Sequence, residues 1–209
     1  MIVVTEMTYN KKYSTVLSFL RIIDSFALPV INKHMGYEGI DKLNILWQEN
    51  LKVIPNDISD KDKYEIAYSN FMWKGAITYK FVKEHLDENG IEEFKRAEIE
   101  TWKRKDSRLK MLILKVIRAI SPGTAFSMIE KQMVYDFQVF SPAIVTELKK
   151  ERLVFDIPNC KLLDYPECED VCLIGCQEIF PKLFAEHLKV KMDTDRRGKS
   201  CTVTLTPLG

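Results

Sequence analysis

The chain has 209 residues, of which 46% are hydrophobic, 29% charged and 11% aromatic, with 31 Lys and Arg against 30 Asp and Glu and a formal net charge of +1. Such proportions describe a globular protein of one or two domains with a real core, and they exclude collagen-like, disordered and low-complexity chains. The balanced charge argues against a nucleic-acid partner, which calls for a basic excess or a basic stripe.

No run is read as the ~18–20 apolar residues that a membrane span needs, and Met1 to Glu6 lacks the pattern of a signal peptide. The expectation is a cytoplasmic chain with no membrane partner.

The first 120 residues read as helices. From Lys12 to Ala27, Val16, Leu17, Phe19, Leu20, Ile23 and Phe26 recur at helical spacing; Pro29 bends or restarts the helix and Gly36 ends it. Ile40 to Val53 is a second amphipathic stretch, with Leu43, Leu46, Trp47 and Leu51, stopping before Pro55. Asp57 or Ser59 can cap a third helix, along which Tyr64, Ala67, Phe71, Lys74, Thr78, Phe81 and Leu86 run until Asn89-Gly90 closes it. Gly75 inside it is unfavourable by ~1 kcal/mol relative to Ala, and close packing on another backbone would be one reason for it. Ile91 to Ile120 gives one or two further helices, and Ser121-Pro122-Gly123 is a strong break.

Beyond Gly123 the texture changes. Met133 to Val139 has strand-like composition, Pro142 to Lys150 reads as a short helix, and Arg152 to Ile157 reads as a strand. Pro166 suits the first turn of a helix running to about Leu188, with a possible interruption at Pro181. Lys189 to Asp193 and Cys201 to Leu205 flank Asp195-Arg196-Arg197-Gly198-Lys199 as a β-hairpin. The fold class expected is α+β: an N-terminal helical bundle or cap (1–120) on a small antiparallel sheet with a cysteine-bearing helix and C-terminal hairpin (121–209), the two halves forming one or two domains.

All five cysteines, Cys160, Cys168, Cys172, Cys176 and Cys201, lie in the last 50 residues. An odd number with no secretion signal argues for reduced thiols. Core packing, a metal site and a reactive thiol then compete. Cys168, Cys172 and Cys176 share a helix face at i, i+4 spacing, but each step rises ~6 Å. One neighbouring pair can share an ion with Zn–S bonds of ~2.3 Å, whereas all three cannot. A closed zinc or iron site would draw on Cys160 and Cys201 with Cys172 or Cys176. Against this, Val171, Leu173, Ile174, Ile179, Phe180, Leu183 and Phe184 make the same helix apolar around much of its circumference, and buried thiols act as small hydrophobes. Cys168, soon after Pro166, has the best case for a dipole-activated thiol, opposed by Asp164, Glu167, Glu169 and Asp170.

Other signals are weak. His34, His85 and His187 are scattered, and no Gly-x-Gly-x-x-Gly, Walker or Gly-x-Ser-x-Gly pattern occurs. The basic run Lys103-Arg104-Lys105 with Arg108 and Lys110 follows Glu98 and Glu100 and reads as a solvated face.

Three features of the last 55 residues occur together: Val154-Phe155-Asp156-Ile157-Pro158-Asn159-Cys160-Lys161-Leu162-Leu163-Asp164, then Cys176 or Cys172 in a helix, then Arg196-Arg197-Gly198-Lys199-Ser200-Cys201-Thr202-Val203. This layout resembles the L-2-amino-thiazoline-4-carboxylic acid hydrolase-like family and, at a greater distance, the 4-vinyl-reductase-like small-molecule-binding domains. The family's helix cysteine is usually followed three residues on by aspartate; here that place is Ile179 after Cys176 and Gly175 after Cys172.

The resemblance implies hydrolysis of a small cyclic C–N substrate, with ring opening of a thiazoline to a carbamoyl-cysteine type product. Under it, Cys160, Cys172, Cys176 and Cys201 are the metal-ligand set for zinc or iron, or one of these thiolates, Cys176 foremost, attacks directly. Asp156 or Asp164 serves as base, and Arg196 or Arg197 pairs with the substrate carboxylate. The partner implied is a small-molecule substrate or ligand. The competing expectation is a non-catalytic sensor or binding module with structural zinc or an iron–sulfur cluster. A third is an interaction protein whose cysteines are core residues.

Overall fold

The computed structural model describes residues 6–105, 108–137, 139, 143–149, 151–164 and 168–208. The fold is α+β. In order come α1 (Tyr9–Asn50), α2 (Asp60–His85), α3 (Glu88–Lys105), α4 (Arg108–Ile120), α5 (Pro122–Phe137), β1 (Ile144–Lys149) and β2 (Arg152–Ile157). A 3₁₀ turn (Lys161–Asp164), an i→i+5 helix (Val171–Ile179), α6 (Phe180–Leu183) and a second i→i+5 segment (Phe184–Leu188) lead into β3 (Val190–Arg197) and β4 (Ser200–Pro207). The chain divides into two compact units, one of Thr8–Thr101 with Tyr165–Gly175, the other of Trp102–Asp164 and Cys176–Gly209 with Met1–Met7.

In the first unit, α1 is two helical segments meeting at Gly36, whose φ of 67° and ψ of −163° belong to a region that glycine alone occupies readily. The contacts of α1 with α2 show what happens there. They advance together from Tyr9–Tyr64 through Phe19–Phe71 to Asp24–Lys74, then run backward from Trp47–Thr78 to Lys52–Asn70. The segment before Gly36 therefore runs alongside α2 and the segment after it runs back. Gly39 completes the reversal, because a Cβ there would lie 2.5 Å from Met35 Cβ. Pro29 is accommodated inside the first segment. By length and apolar composition alone α1 meets the measure of a membrane span, a test that the core helix of a globular protein also passes, and 44% of its qualifying window is buried within the protein.

Two charged side chains lie inside this unit. Lys74 sits over the Trp47 ring at 4.2 Å and donates to the Asp24 carboxylate at 2.5 Å and the Leu20 carbonyl at 3.4 Å. Tyr79 donates to the Glu98 carboxylate at 2.5 Å. Asn70 closes the end of α1 by accepting from the Lys52 N–H and donating to the Lys52 carbonyl. Burying such groups is tolerable because each is satisfied.

Helix α2 does not extend to Asn89-Gly90. It ends at Leu86, in extended backbone, and Asp87 then starts α3 by accepting from the Gly90 N–H at 2.8 Å. A good cap outweighs the turn propensity of Asn-Gly.

In the second unit the sheet order is β1-β2-β4-β3, all neighbours antiparallel. Its core joins Leu153, Phe155, Ile157, Val190, Met192, Val203 and Leu205 from the sheet to Leu114, Ala125, Phe126 and Ile129 from α4 and α5, with Phe180, Phe184 and Leu188 packed against it. Two segment expectations are reversed here. Met133 to Phe137 continues α5, because Ala125, Phe126 and Ile129 set a helical burial period that the chain keeps. Ile144 to Lys149, expected helical, is strand: the β-branched run Ile144-Val145-Thr146 pairs against β2, with a register shift between Val145 and Glu147. The break at Ser121-Pro122-Gly123 falls between α4 and α5, and Pro122 opens α5, since the first turn needs no N–H from it.

Gly36 and Gly75 should respond oppositely to alanine. Gly36→Ala is expected to lower unfolding stability by about 1–3 kcal/mol, the cost of forcing a Cβ into that backbone region. A Cβ at Gly75 would meet Val171 Cγ2 at 3.7 Å, an ordinary contact with a side chain rather than the close backbone approach expected. Gly75→Ala should therefore be neutral or stabilising by up to about 1 kcal/mol in urea denaturation.

Candidate active site at the hairpin end of the sheet

The β3–β4 hairpin sets the geometry. Arg197 faces Ser200, and the turn between them begins with Gly198 at a φ of 60°, the place where a two-residue hairpin turn of the II′ kind takes glycine. The strands thus run further than expected: Arg196 and Arg197 are in β3, not in a turn.

Because side chains alternate along a strand, these two arginines part company. Arg197 is exposed and its guanidinium binds the Asp195 carboxylate twice, at 3.1 and 2.7 Å. Arg196 is half-buried and faces Cys201 across the ladder, and Cys201 in turn faces Ile157 of β2. Directly opposed residues share a face, so Ile157, Cys201 and Arg196 form one row on the side that carries Phe155, Val203 and Met192. Arg196 Nε also donates to the Gly198 carbonyl at 3.3 Å.

Cys160 joins this row after β2 ends. Its N–H donates to the Lys199 carbonyl at 2.8 Å, which holds the segment Pro158 to Cys160 against the hairpin tip. Cys160 and Cys201 are both half-buried and both pack against the sheet core. Lys199 also reaches Asp164, Nζ to Oδ1 at 2.7 Å, so the 3₁₀ turn is tied to the same tip. Lys199 was not singled out from sequence; its place straight after the turn glycine is the signal that would have found it.

Asp156 lies elsewhere. It faces Thr202, accepts from Thr202 Oγ1 at 2.7 Å, and belongs to the opposite side of the sheet from Cys201. His187 precedes β3 and so stands at the far end of that strand from the turn.

The remaining cysteines divide. Cys168 and Cys172 are buried, and the Cys168 thiol donates to the Met72 carbonyl at 3.5 Å within the first unit. Core packing describes them best. The turn at Pro166 invoked for Cys168 activation lies outside the described residues. Cys176 is half-buried and belongs to the second unit, one turn before Phe180, in the helical run that covers the sheet core.

Among the described residues, no three His, Cys, Asp or Glu side chains are grouped to hold one metal ion. What the row offers instead is nucleophilic chemistry: two thiols, a guanidinium on the same face, and a carboxylate–lysine pair at the rim.

Titration with an aromatic disulfide reagent should separate the thiols. Cys160, Cys176 and Cys201 are expected to react in the native protein, and Cys168 and Cys172 only on unfolding; five equally fast thiols would contradict the burial described. Comparison with known proteins yields no matching family model, no similar curated protein and no similar solved structure.

Proposed function

We propose that this chain hydrolyses a small cyclic C–N substrate bearing a carboxylate, of the 2-amino-thiazoline-4-carboxylate kind, through a cysteine thiolate at the hairpin end of the sheet. The observation that carries this reading is the row in which Cys201 and Arg196 face each other, with Cys160 fastened beside them through Lys199. The reaction type is the one implied by the resemblance of the last 55 residues to the thiazoline-carboxylate hydrolase-like family.

In the proposed sequence, a thiolate from Cys160, Cys176 or Cys201 adds to the electrophilic amidine carbon. The ring bond breaks and its leaving atom takes a proton. Water then attacks the thiol-bound carbon, releasing the carbamoyl product and restoring the thiol. Arg196 suits the substrate carboxylate, since a guanidinium presents paired donors to it. Asp164 is the carboxylate at this end of the sheet suited to move the proton, while Asp156 is set aside because it faces the other way and is engaged by Thr202.

Single Cys→Ser variants test the reading directly, with turnover of 2-amino-thiazoline-4-carboxylate as readout. Loss of the nucleophile should lower kcat by at least about a thousandfold, and Arg196→Gln should raise KM by about ten- to a hundredfold. Arg197→Gln should change either little. Full turnover in Cys160→Ser, Cys176→Ser and Cys201→Ser alike would end the thiolate proposal. About one zinc or iron per chain, lost together with folding in these variants, would favour a metal-holding sensor module instead.

A further inference from the structure

Helix α4 presents two apolar faces. One is committed to the fold: Leu114 is buried in the second unit's core, and Met111 and Ile117 pack against it. Arg118 fixes the helix further by donating to the Leu188 carbonyl at 2.5 Å. The other face is open. Ile113, Val116 and Ile120 are 45%, 52% and 80% exposed, and their i, i+3, i+7 spacing puts them in one stripe. Met128 of the adjoining α5 is exposed as well.

Charge decides what suits this stripe. The sequence of α4 holds Arg108, Lys110, Lys115 and Arg118 and no acidic residue; Arg118 and, at the end of α3, Lys103 are engaged by Leu188 and Glu186, while Lys115 and Arg104 are exposed. A second copy docked on the same stripe would bring only another α4, which has no acidic residue to meet these bases. Nucleic acid would satisfy the charges and leave the isoleucines in water. A bilayer with anionic headgroups satisfies both, taking apolar side chains at the headgroup–acyl boundary and basic ones at the phosphates.

We infer that α4 is an interfacial helix that docks the protein peripherally on an anionic phospholipid surface, with Ile113, Val116 and Ile120 entering the bilayer boundary. The expectation of no membrane partner rested on spans, and peripheral docking requires none.

Flotation of the full chain with unilamellar vesicles tests this. Binding is expected to vesicles containing phosphatidylglycerol and not to pure phosphatidylcholine, and it should weaken with added salt. Ile120→Asp, at a largely exposed position, should reduce partitioning about tenfold or more, and Lys115→Glu about fivefold, both with unchanged far-UV circular dichroism and thermal midpoint. Absence of binding, equal binding to both vesicle types, or unchanged binding by Ile120→Asp would each overturn the inference. So would lipid-free self-association in sedimentation that Ile120→Asp abolishes, since a second copy would then be the occupant.

Discussion

The register between β2 and β4, with Ile157 opposite Cys201, is the constraint on which the candidate site depends. Strand side chains alternate with a period of two, so a slip of one residue would send Cys201 to the opposite side and bring Thr202 to the core. The core resists that slip: Leu153, Phe155, Val203 and Leu205 are all almost fully buried and all on the Cys201 side. The apolar pattern of two strands therefore fixes where the thiol and, one strand further on, the guanidinium are held. Packing energy is what positions the chemistry.

A second constraint acts through the backbone. After Ile157 the chain leaves the sheet through Pro158, which cannot donate to a ladder. The Cys160 N–H then returns to the Lys199 carbonyl, and Leu163 N–H to the Cys160 carbonyl. Cys160 is thus bonded on both sides of its peptide, once to the hairpin tip and once into the 3₁₀ turn that ends at Asp164. The Asp164–Lys199 ion pair spans the same two elements, but both partners are substantially exposed and such a pair contributes little by itself. Its value is in placing a carboxylate, not in stability.

Much of this was legible in the sequence where local signals and tertiary demands agree. The hairpin showed itself through alternation around Gly198, the helices through their period, and the α1 break through Gly36. The failures came where the signals conflict. Met133 to Val139 alternates like a strand, yet it follows Ala125, Phe126 and Ile129, whose helical burial carries the backbone on to Phe137. Ile144 to Lys149 lacks a strongly apolar face of its own; it exists as strand because β2 offers it an edge. An edge strand's identity belongs to its neighbour as much as to its residues. Lys74 and Thr78 stood within the apolar line of α2 from the start, and only the fold explains them: Trp47 contacts both, through its ring and its indole N–H.

The cysteines show how far spacing can mislead. Three thiols four residues apart suggest one stripe with one purpose, but Cys168 and Cys172 are interior while Cys176 is half-buried and belongs to the same unit as Cys160 and Cys201, which lie 16 and 25 residues away in sequence. The adjacent arginines carry the same lesson at shorter range. Arg196 and Arg197 are chemically identical, and the strand's alternation alone gives one to Asp195 and sets the other on the Cys201 face of the sheet. In the proposed reaction, a guanidinium on the same face as the nucleophile would favour an anionic substrate there. That advantage exists only if β3 stays in register through Arg197, which returns the argument to Gly198: the positive φ at the turn lets the strands remain paired up to their last residue, and so keeps Arg196 opposite Cys201.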